Sequence, residues 1–223
     1  MSHVGRPVPH ESARGHVTGT ALYTDDLSSR YPGLLHAWPV SAPHAHARVT
    51  AVDASEALTE PGVTTVMTEL DVPGHGDTGA SRQDEPVFPT EVLFHGQPVA
   101  WVVGDSVDAA RRGAERVSVS YEPLPAILTI RAAIEAGSYL TGEGRLSVGA
   151  PAAAIDASAI RIDGELEIGG QEHFYLETQA AIAWADETGG VRGQSSTQHP
   201  TETQEVVARV RGLRRHQVTV ECL

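Results

Sequence analysis

Gly-Gly-Gln-Glu-His-Phe-Tyr-Leu-Glu-Thr, residues 169–178, is the most distinctive stretch of this 223-residue chain. It places Phe174 beside Tyr175 in a chain that has only 3 Phe and 5 Tyr. Two consecutive glycines cost backbone entropy and pack no side chain, so a strand tolerates them where another group approaches the backbone. Two interpretations follow: a Gly-Gly turn between two strands, or a site at which Gln171 presents its amide to a bound group.

The composition is that of a globular protein, with 40% hydrophobic and 20% charged residues. The length suits one large or two small domains. A net charge of −13 argues against partners such as nucleic acid or an anionic membrane, because both require a basic surface. All 16 basic residues are arginine, which excludes Schiff-base and P-loop lysine chemistry within the chain.

Cys222 is the only cysteine, so no disulfide, cysteine-rich zinc site or iron–sulfur cluster forms within the chain. No signal-peptide core and no apolar run of membrane-spanning length is present in the sequence. We therefore expect a soluble, cytoplasmic protein without membrane association.

After an extended arm at residues 1–15, short strands precede a strand–helix–strand segment, which predicts one α/β domain over residues 16–123. Alternating or continuous apolar residues predict its strands and helix. These elements are strands at 34–40, 47–53, 63–67, 99–103 and 117–121, a helix at 107–116 with Val107, Ala110 and Ala114 inside, and a long loop at 69–90. Asp105 or Ser106 is expected to cap the helix.

One acidic pair and one histidine pair in this region could be fragments of a metal site. Asp25-Asp26 has no further spaced acidic residues, so a solvated turn is the preferred interpretation. His44 and His46 lack a third ligand at a suitable spacing, which favours a loop whose histidines are solvated or bonded to backbone.

Residues 124–158 are rich in Gly, Pro and Ala and predict a linker with weak helical content. Residues 159–223 predict a second, incomplete α+β unit. Its expected elements are strands at 159–168, 176–185 and 191–197, a helix at 200–211 ended by Gly212, and a last strand from 216.

Three stretches resemble the molybdopterin-binding subunit of the xanthine dehydrogenase/aldehyde oxidase family of molybdenum hydroxylases, most of all its bacterial xanthine dehydrogenases. They are residues 169–178, residues 195–204 (Ser-Ser-Thr-Gln-His-Pro-Thr-Glu-Thr-Gln) and residues 19–27 (Gly-Thr-Ala-Leu-Tyr-Thr-Asp-Asp-Leu). The resemblance implies an α+β architecture, in which an α/β hammerhead domain over 16–123 is followed by the beginning of a molybdenum-cofactor-binding domain.

The resemblance also implies an activity. Family members hydroxylate purines or aldehydes with water as oxygen source, here hypoxanthine and xanthine to urate in purine catabolism. Electrons leave through molybdenum–molybdopterin to [2Fe–2S] clusters and FAD on other domains or subunits, so a hetero-oligomer is expected. The alternatives are an aldehyde oxidase or another carbon hydroxylase of the family, or a non-catalytic hammerhead module for binding or assembly.

By the same resemblance, Gln171 lies near an oxo ligand of molybdenum without coordinating the metal. An amide donates to an oxo group without adding charge, whereas a carboxylate would repel it. Gly169 and Gly170 would let the cofactor approach the backbone, and Phe174 and Tyr175 would pack behind the loop. Glu172, His173 and Phe174 are expected to surround Gln171 and fix the loop.

The family's Gly-Gly-Gly-Phe-Gly-Gly motif, its substrate-binding glutamate and arginine, and its catalytic base glutamate have no counterpart in the 223 residues. The reaction requires that base. We therefore expect no catalytic residue in this chain and no turnover by the chain alone, with the cofactor site shared with a missing part of the subunit.

Overall fold

The computed structural model describes residues 4–79 and 84–223. Among these described residues, five α-helices and nine strands follow one another, with short 3₁₀ turns between them. Their bounds are α1 Ala13–Thr18, β1 His36–Ser41, β2 Ala47–Asp53, β3 Val63–Met67, β4 Glu91–Val92, β5 Pro98–Gly104, α2 Val107–Ala114, β6 Ser118–Pro123, α3 Ile130–Ala136, α4 Pro151–Asp156, β7 Ala181–Ala185, β8 Val191–Ser195, α5 Pro200–Arg211 and β9 Val218–Glu221. None of the described helices has the length and apolar character needed to cross a membrane.

The chain divides into a larger unit, Met1–Pro125 with Leu176–Leu223, and a smaller unit, Ala126–Tyr175. The last three residues of the predicted extended arm already belong to α1. Residues 80–83 of the predicted long loop, and residues 1–3 of the arm, lie outside the described residues. The boundaries at 15, 123 and 158 stay predictions.

The described part of the larger unit contains three three-stranded sheets, ordered β1-β5-β3, β4-β2-β6 and β7-β8-β9. The first two sheets are antiparallel, and their inward side chains form one core. That core consists of Val40, Ala42, Ala47, Val92, Val99, Ala100 and Val102. In the third sheet β7 and β8 are antiparallel, whereas β8 and β9 are parallel, and α5 makes the crossover that a parallel pair requires.

Helix α2 packs on the first sheet through small side chains. Its buried residues are Ala109, Ala110 and Gly113, whereas Val107 is about half exposed, so the predicted inner stripe of Val107, Ala110 and Ala114 is wrong in part. A Cβ at Gly113 would lie 2.9 Å from Val102 Cγ1, so only small residues let this helix approach the sheet. The Ser106 hydroxyl accepts the Ala109 N–H at 3.3 Å, which confirms Ser106 as the N-cap.

A buried carboxylate reinforces the same helix. Glu60 is 8% exposed, accepts a hydrogen bond from Arg112 Nε at 2.7 Å and forms an ion pair with Arg116, whose Nε lies 2.9 Å from Glu60 Oε2. The bond from Arg112, aided by the positive charge of Arg116, lowers the pKa of the Glu60 carboxyl. Glu60 therefore holds the C-terminal half of α2 to the turn before β3.

The smaller unit contains only α3 and α4 as regular elements. None of residues 126–175 is buried, and only Ala132 and Ala133 are half-buried. The predicted strand over 159–168 is wrong: these residues form no strand, and Ile160, Ile162, Leu166 and Ile168 are exposed. An alternating sequence forms a strand only beside another strand that accepts its backbone hydrogen bonds.

Candidate functional site

The first half of the 169–178 stretch lies in the smaller unit as exposed, irregular chain. Gln171 Nε2 donates to the Gly169 carbonyl at 3.3 Å, and the Phe174 N–H donates to Glu172 Oε1 at 3.2 Å. These bonds bridge residues only two positions apart. The loop around Gln171 is therefore shaped by its own side chains.

The predicted packing of the two aromatics behind this loop is wrong. Phe174 is 95% exposed, with a φ of 52°, and Tyr175 is about half exposed. Aromatic side chains pack only where other apolar groups are close, and residues 126–175 provide no buried group. Glu172 keeps a part in shaping the loop, whereas His173 and Phe174 are simply exposed in this chain.

The second half of the stretch lies in the larger unit and is held by distant residues. Glu177 Oε1 accepts the backbone N–H of Thr24 at 2.7 Å, across 153 residues of sequence. The Ser196 hydroxyl donates to the Thr178 carbonyl at 3.0 Å and accepts the Ala180 N–H at 2.9 Å. Thr24, Glu177 and Ser196 each come from a different one of the three motif stretches.

A second link joins the 3₁₀ turn Asp25–Arg30 to the third sheet. Just after this turn, the Tyr31 hydroxyl donates to Gln194 Oε1 at 3.1 Å. The Tyr31 ring also lies against Trp184, with ring centroids 5.1 Å apart. Both ends of the turn are thus attached to residues 177–194. The Asp26 carboxylate accepts the Tyr23 N–H at 2.9 Å, which accounts for one member of the Asp-Asp pair.

Helix α5 follows the 195–199 motif residues and is held at both ends. Near its start, Gln204 Nε2 donates to the Val218 carbonyl at 2.8 Å. At its end, the Gly74 N–H donates to the Val210 carbonyl at 2.9 Å, and the His75 N–H donates to the Arg209 carbonyl at 3.0 Å. A Cβ at Gly74 would lie 2.6 Å from Gly212 N and 2.7 Å from Val210 O, so no larger residue fits.

The histidine pair near β2 has structural contacts. His46 Nδ1 lies 2.6 Å from the Pro125 carbonyl and Nε2 lies 3.0 Å from Glu91 Oε1, while the His44 ring packs edge-on against Tyr121. The Pro125 carbonyl, followed by the Glu91 carboxylate, raises the pKa of the His46 imidazole. The described residues contain no group of three His, Cys, Asp or Glu side chains that could hold a metal ion.

The residues around Gln171 fit part of a cofactor site. Gln171 is exposed and supplies a neutral amide, and a Cβ at Gly169 or Gly170 would meet no atom within 4 Å. A bound group therefore has both a hydrogen-bond donor and room to reach the backbone. A cleft of about 970 Å³ in the larger unit is lined by residues that include Trp38, Trp101 and Gln198.

Sequence reasoning missed Glu177, Thr24, Ser196 and Tyr31 as contact residues. The first three lie inside the motif stretches, so membership of those stretches was the available signal. Hydrophobic periodicity carries no information on which polar side chain meets a backbone group 153 residues away.

Two family models match the chain. Residues 18–125 match the a/b hammerhead domain of aldehyde oxidase and xanthine dehydrogenase, and residues 136–222 match the molybdopterin cofactor-binding domain. The chain is 41% identical to a xanthine dehydrogenase of Oryza sativa subsp. japonica over 215 residues, which are 94% of the chain and 16% of that relative. It is 40% identical over 222 residues to a nicotinate hydroxylase of Emericella nidulans, covering 96% of the chain and 16% of the relative.

A solved structure resembles the chain over nearly its whole length. The aldehyde oxidoreductase of Desulfovibrio gigas superposes with a TM-score of 0.81 at 27% identity, over 96% of this chain and 26% of that one. The chain thus spans about a sixth of the length of these curated relatives. It belongs to the xanthine dehydrogenase and aldehyde oxidase family of molybdenum hydroxylases, with the hammerhead domain followed by the start of the molybdopterin-binding domain.

Proposed function

We propose that this chain forms part of a molybdenum hydroxylase that oxidises hypoxanthine and xanthine to urate, with water as the oxygen source. The observation that carries this proposal is the 41% identity to a xanthine dehydrogenase across both matched domains in the same order. The bound molybdenum cofactor would supply the oxygen transfer and accept the electrons. The catalytic base would come from outside these 223 residues.

Within this chain, Gln171 would serve the cofactor as a neutral hydrogen-bond donor. Its amide is exposed, and its contact with the Gly169 carbonyl, at 3.3 Å, is long and easily exchanged for a bond to a bound oxygen. An amide leaves the charge of the site unchanged, whereas a carboxylate would oppose an oxo ligand of the metal. Gly169 and Gly170 would leave the space for that approach, and Glu172 would shape the turn through the Phe174 N–H.

Electrons would pass to [2Fe–2S] clusters and FAD on other domains or subunits, giving a hetero-oligomer in the cytoplasm. The chain has one cysteine, whereas such a cluster takes four protein ligands. The protein containing this chain should therefore purify with flavin and iron–sulfur absorbance contributed by other parts. Preparations with full molybdenum but neither absorbance would contradict this partnership.

Hydroxylation of another N-heteroaromatic is the second candidate, because the nicotinate hydroxylase matches the chain at 40% identity. Steady-state assays on the molybdenum-loaded protein with xanthine, hypoxanthine, nicotinate and an aldehyde distinguish the candidates. The leading proposal expects the highest kcat/KM with a purine. A preference for nicotinate or an aldehyde would replace it, and no turnover of any of them would favour the non-catalytic module.

The role of Gln171 is tested in the same protein. Gln171→Ala should lower kcat about tenfold to a hundredfold with little change in KM, as expected for a donor that acts most strongly in the transition state. Gln171→Glu has the same size but adds a charge, and should lower kcat at least as much. Wild-type kinetics for both variants at equal molybdenum content would exclude this role.

A further inference from the structure

Residues 159–168 leave a closely spaced set of large apolar side chains in water. Each of the four is between 64% and 91% exposed, and they are Ile160, Ile162, Leu166 and Ile168. Segments that remain unfolded in their working state are usually poor in such residues. Clustered exposed apolar side chains instead mark a surface that another segment or partner covers.

The order of these ten residues gives an extended chain two different faces. Side chains of a strand alternate between opposite sides, so the four apolar residues share one side. The other side carries four charged residues, which are Arg161, Asp163, Glu165 and Glu167. A strand also needs a neighbour for its backbone N–H and C=O groups, and none of the nine strands among the described residues pairs with this segment. The segment thus has the side-chain order of a strand without the partner strand.

The charged face indicates what that partner carries. Arg161 donates to both carboxylate oxygens of Asp163, and the two residues stay on the same side in an extended chain. Glu165 lies 3.5 Å from Arg131, but both side chains are largely exposed, so this pair contributes little. The face therefore retains a charge of −2 from Glu165 and Glu167. Opposite charges across neighbouring strands stabilise a sheet, which favours a partner with basic residues at these positions.

A second copy of the segment fits poorly. Antiparallel pairing centred on Gly164 is the register that sets all four apolar residues opposite one another. The same register sets Asp163 opposite Glu165 twice, and like charges directly opposite are destabilising. The partner strand is therefore expected to differ in sequence from residues 159–168.

The matched family model indicates where such a strand lies. Residues 159–168 fall within 136–222, which match the molybdopterin cofactor-binding domain, and the chain spans only 16% of a xanthine dehydrogenase relative. We propose that residues 159–168 form a β-strand against a strand of the same domain outside these 223 residues, one with an apolar face and a basic face. This inference uses neither the role of Gln171 nor the identity of the substrate.

Amide hydrogen exchange of the wild-type sequence is the first test. In the 223-residue chain, the amides of residues 159–168 should exchange within about tenfold of the rate of an unstructured peptide. In the full protein that contains this chain, amides of the same residues should exchange at least about a hundredfold more slowly, because their N–H groups are then bonded to the partner strand. Equal exchange in the two proteins would overturn the proposal.

The 223-residue chain also tests the alternative partners. Slow exchange at residues 159–168 that depends on chain concentration would mean that copies pair with one another. Slow exchange that does not depend on concentration would mean that the segment finds its partner within the chain. Either result would replace the proposed partner.

Matched variants of the full protein test the two faces. Leu166→Asp puts a charge on the apolar face and should remove at least about nine-tenths of the protection at residues 159–168, whereas Leu140→Asp, at a position that is 95% exposed, should leave it unchanged. Glu167→Arg should reduce the protection severalfold more than Glu143→Arg does. Unchanged protection in Leu166→Asp would exclude a buried apolar face, and unchanged protection in Glu167→Arg would exclude the basic partner. If Leu166→Asp does not fold, the milder Leu166→Ala should lose part of the protection, and the wild-type comparison still decides whether the strand forms.

Discussion

The two halves of residues 169–178 are stabilised in opposite ways. In residues 169–175 the side-chain hydrogen bonds reach two positions along the chain. The Glu177 carboxylate instead bonds to a residue 153 positions away, and the Thr178 carbonyl accepts a bond from the Ser196 hydroxyl, 18 positions away. Phe174 is 95% exposed, while Thr24, the partner of Glu177, is 1% exposed. One continuous motif thus combines an open half, available to a bound group, with a half that attaches it to the rest of the fold.

The same contrast separates the two units. The larger unit has a core shared by two sheets, whereas residues 126–175 bury no residue. The free energy of local opening is therefore expected to be near zero in the smaller unit. In the core of the larger unit it should approach the global free energy of unfolding.

Trypsin cleavage should show the largest difference between the two units. The chain has no lysine, so trypsin cuts it only after arginine. Arg145 and Arg161 lie in irregular chain of the smaller unit, whereas Arg112 and Arg116 flank the buried Glu60. Cleavage after the first pair should be on the order of a thousandfold faster than after the second. A mass-spectrometric time course measures this ratio, and comparable rates at the four sites would remove the contrast between the units.

A single methyl group should have opposite consequences in the two units. Gly74→Ala places a Cβ against the backbone of Val210 and Gly212, which cannot move aside as a side chain can, and should cost about 1–3 kcal/mol. Gly170→Ala meets no atom within 4 Å and should leave stability unchanged or slightly raised. Urea unfolding curves of the two variants check this, and equal midpoints would show that the loop before β4 does not pack on α5 as described.

One hydroxyl tests the link between the first 3₁₀ turn and the third sheet. Tyr31→Phe keeps the ring beside Trp184 but removes the bond to Gln194, and should cost about 1 kcal/mol. Tyr139→Phe, in the exposed chain of the smaller unit, is the matched control and should cost nothing measurable. The difference in unfolding free energy between these variants isolates the hydroxyl bond, and a difference of zero would mean that Tyr31 contributes only through its ring.

The smallest predicted effect is a pH dependence of stability that arises where the His46 imidazole meets the Pro125 carbonyl. Pro125 is the last residue of the larger unit before the smaller one begins. The Pro125 carbonyl and then the Glu91 carboxylate raise the pKa of His46 above its ordinary 6.5. Its contribution to stability is therefore complete below pH 6.5 and is lost as the pH rises through the folded-state pKa. His46→Gln should abolish this alkaline loss.

Denaturant unfolding between pH 5.5 and 9 measures that dependence. Glu91→Gln should reduce this loss without abolishing it, because the Pro125 carbonyl still favours the protonated imidazole. A wild-type stability that stays flat over this range would contradict the assignment.

Local patterns predicted much of the fold. The strands at 47–53 and 63–67 and the helix at 200–211 have the bounds that their periodicity and end signals predict. Gly212 ends α5 in the left-handed conformation that glycine adopts easily. The strand predicted at 159–168 is wrong because alternation is a local pattern, whereas a strand forms only beside a partner strand.

The candidate site, like the fold, could be predicted from the sequence only in part. The three motif stretches identify the family and single out Gln171 because those features reside in the order of residues along the chain. Which side chains join those stretches was decided by tertiary structure. The bonds of Thr24 to Glu177 and of Ser196 to Thr178 form only when separate elements pack. The first of them satisfies a Thr24 N–H that the packing removes from water. The sequence by itself determined many of the local elements, the family and the choice of Gln171; only the folded chain decided that the first half of the motif is open and where its other half is anchored.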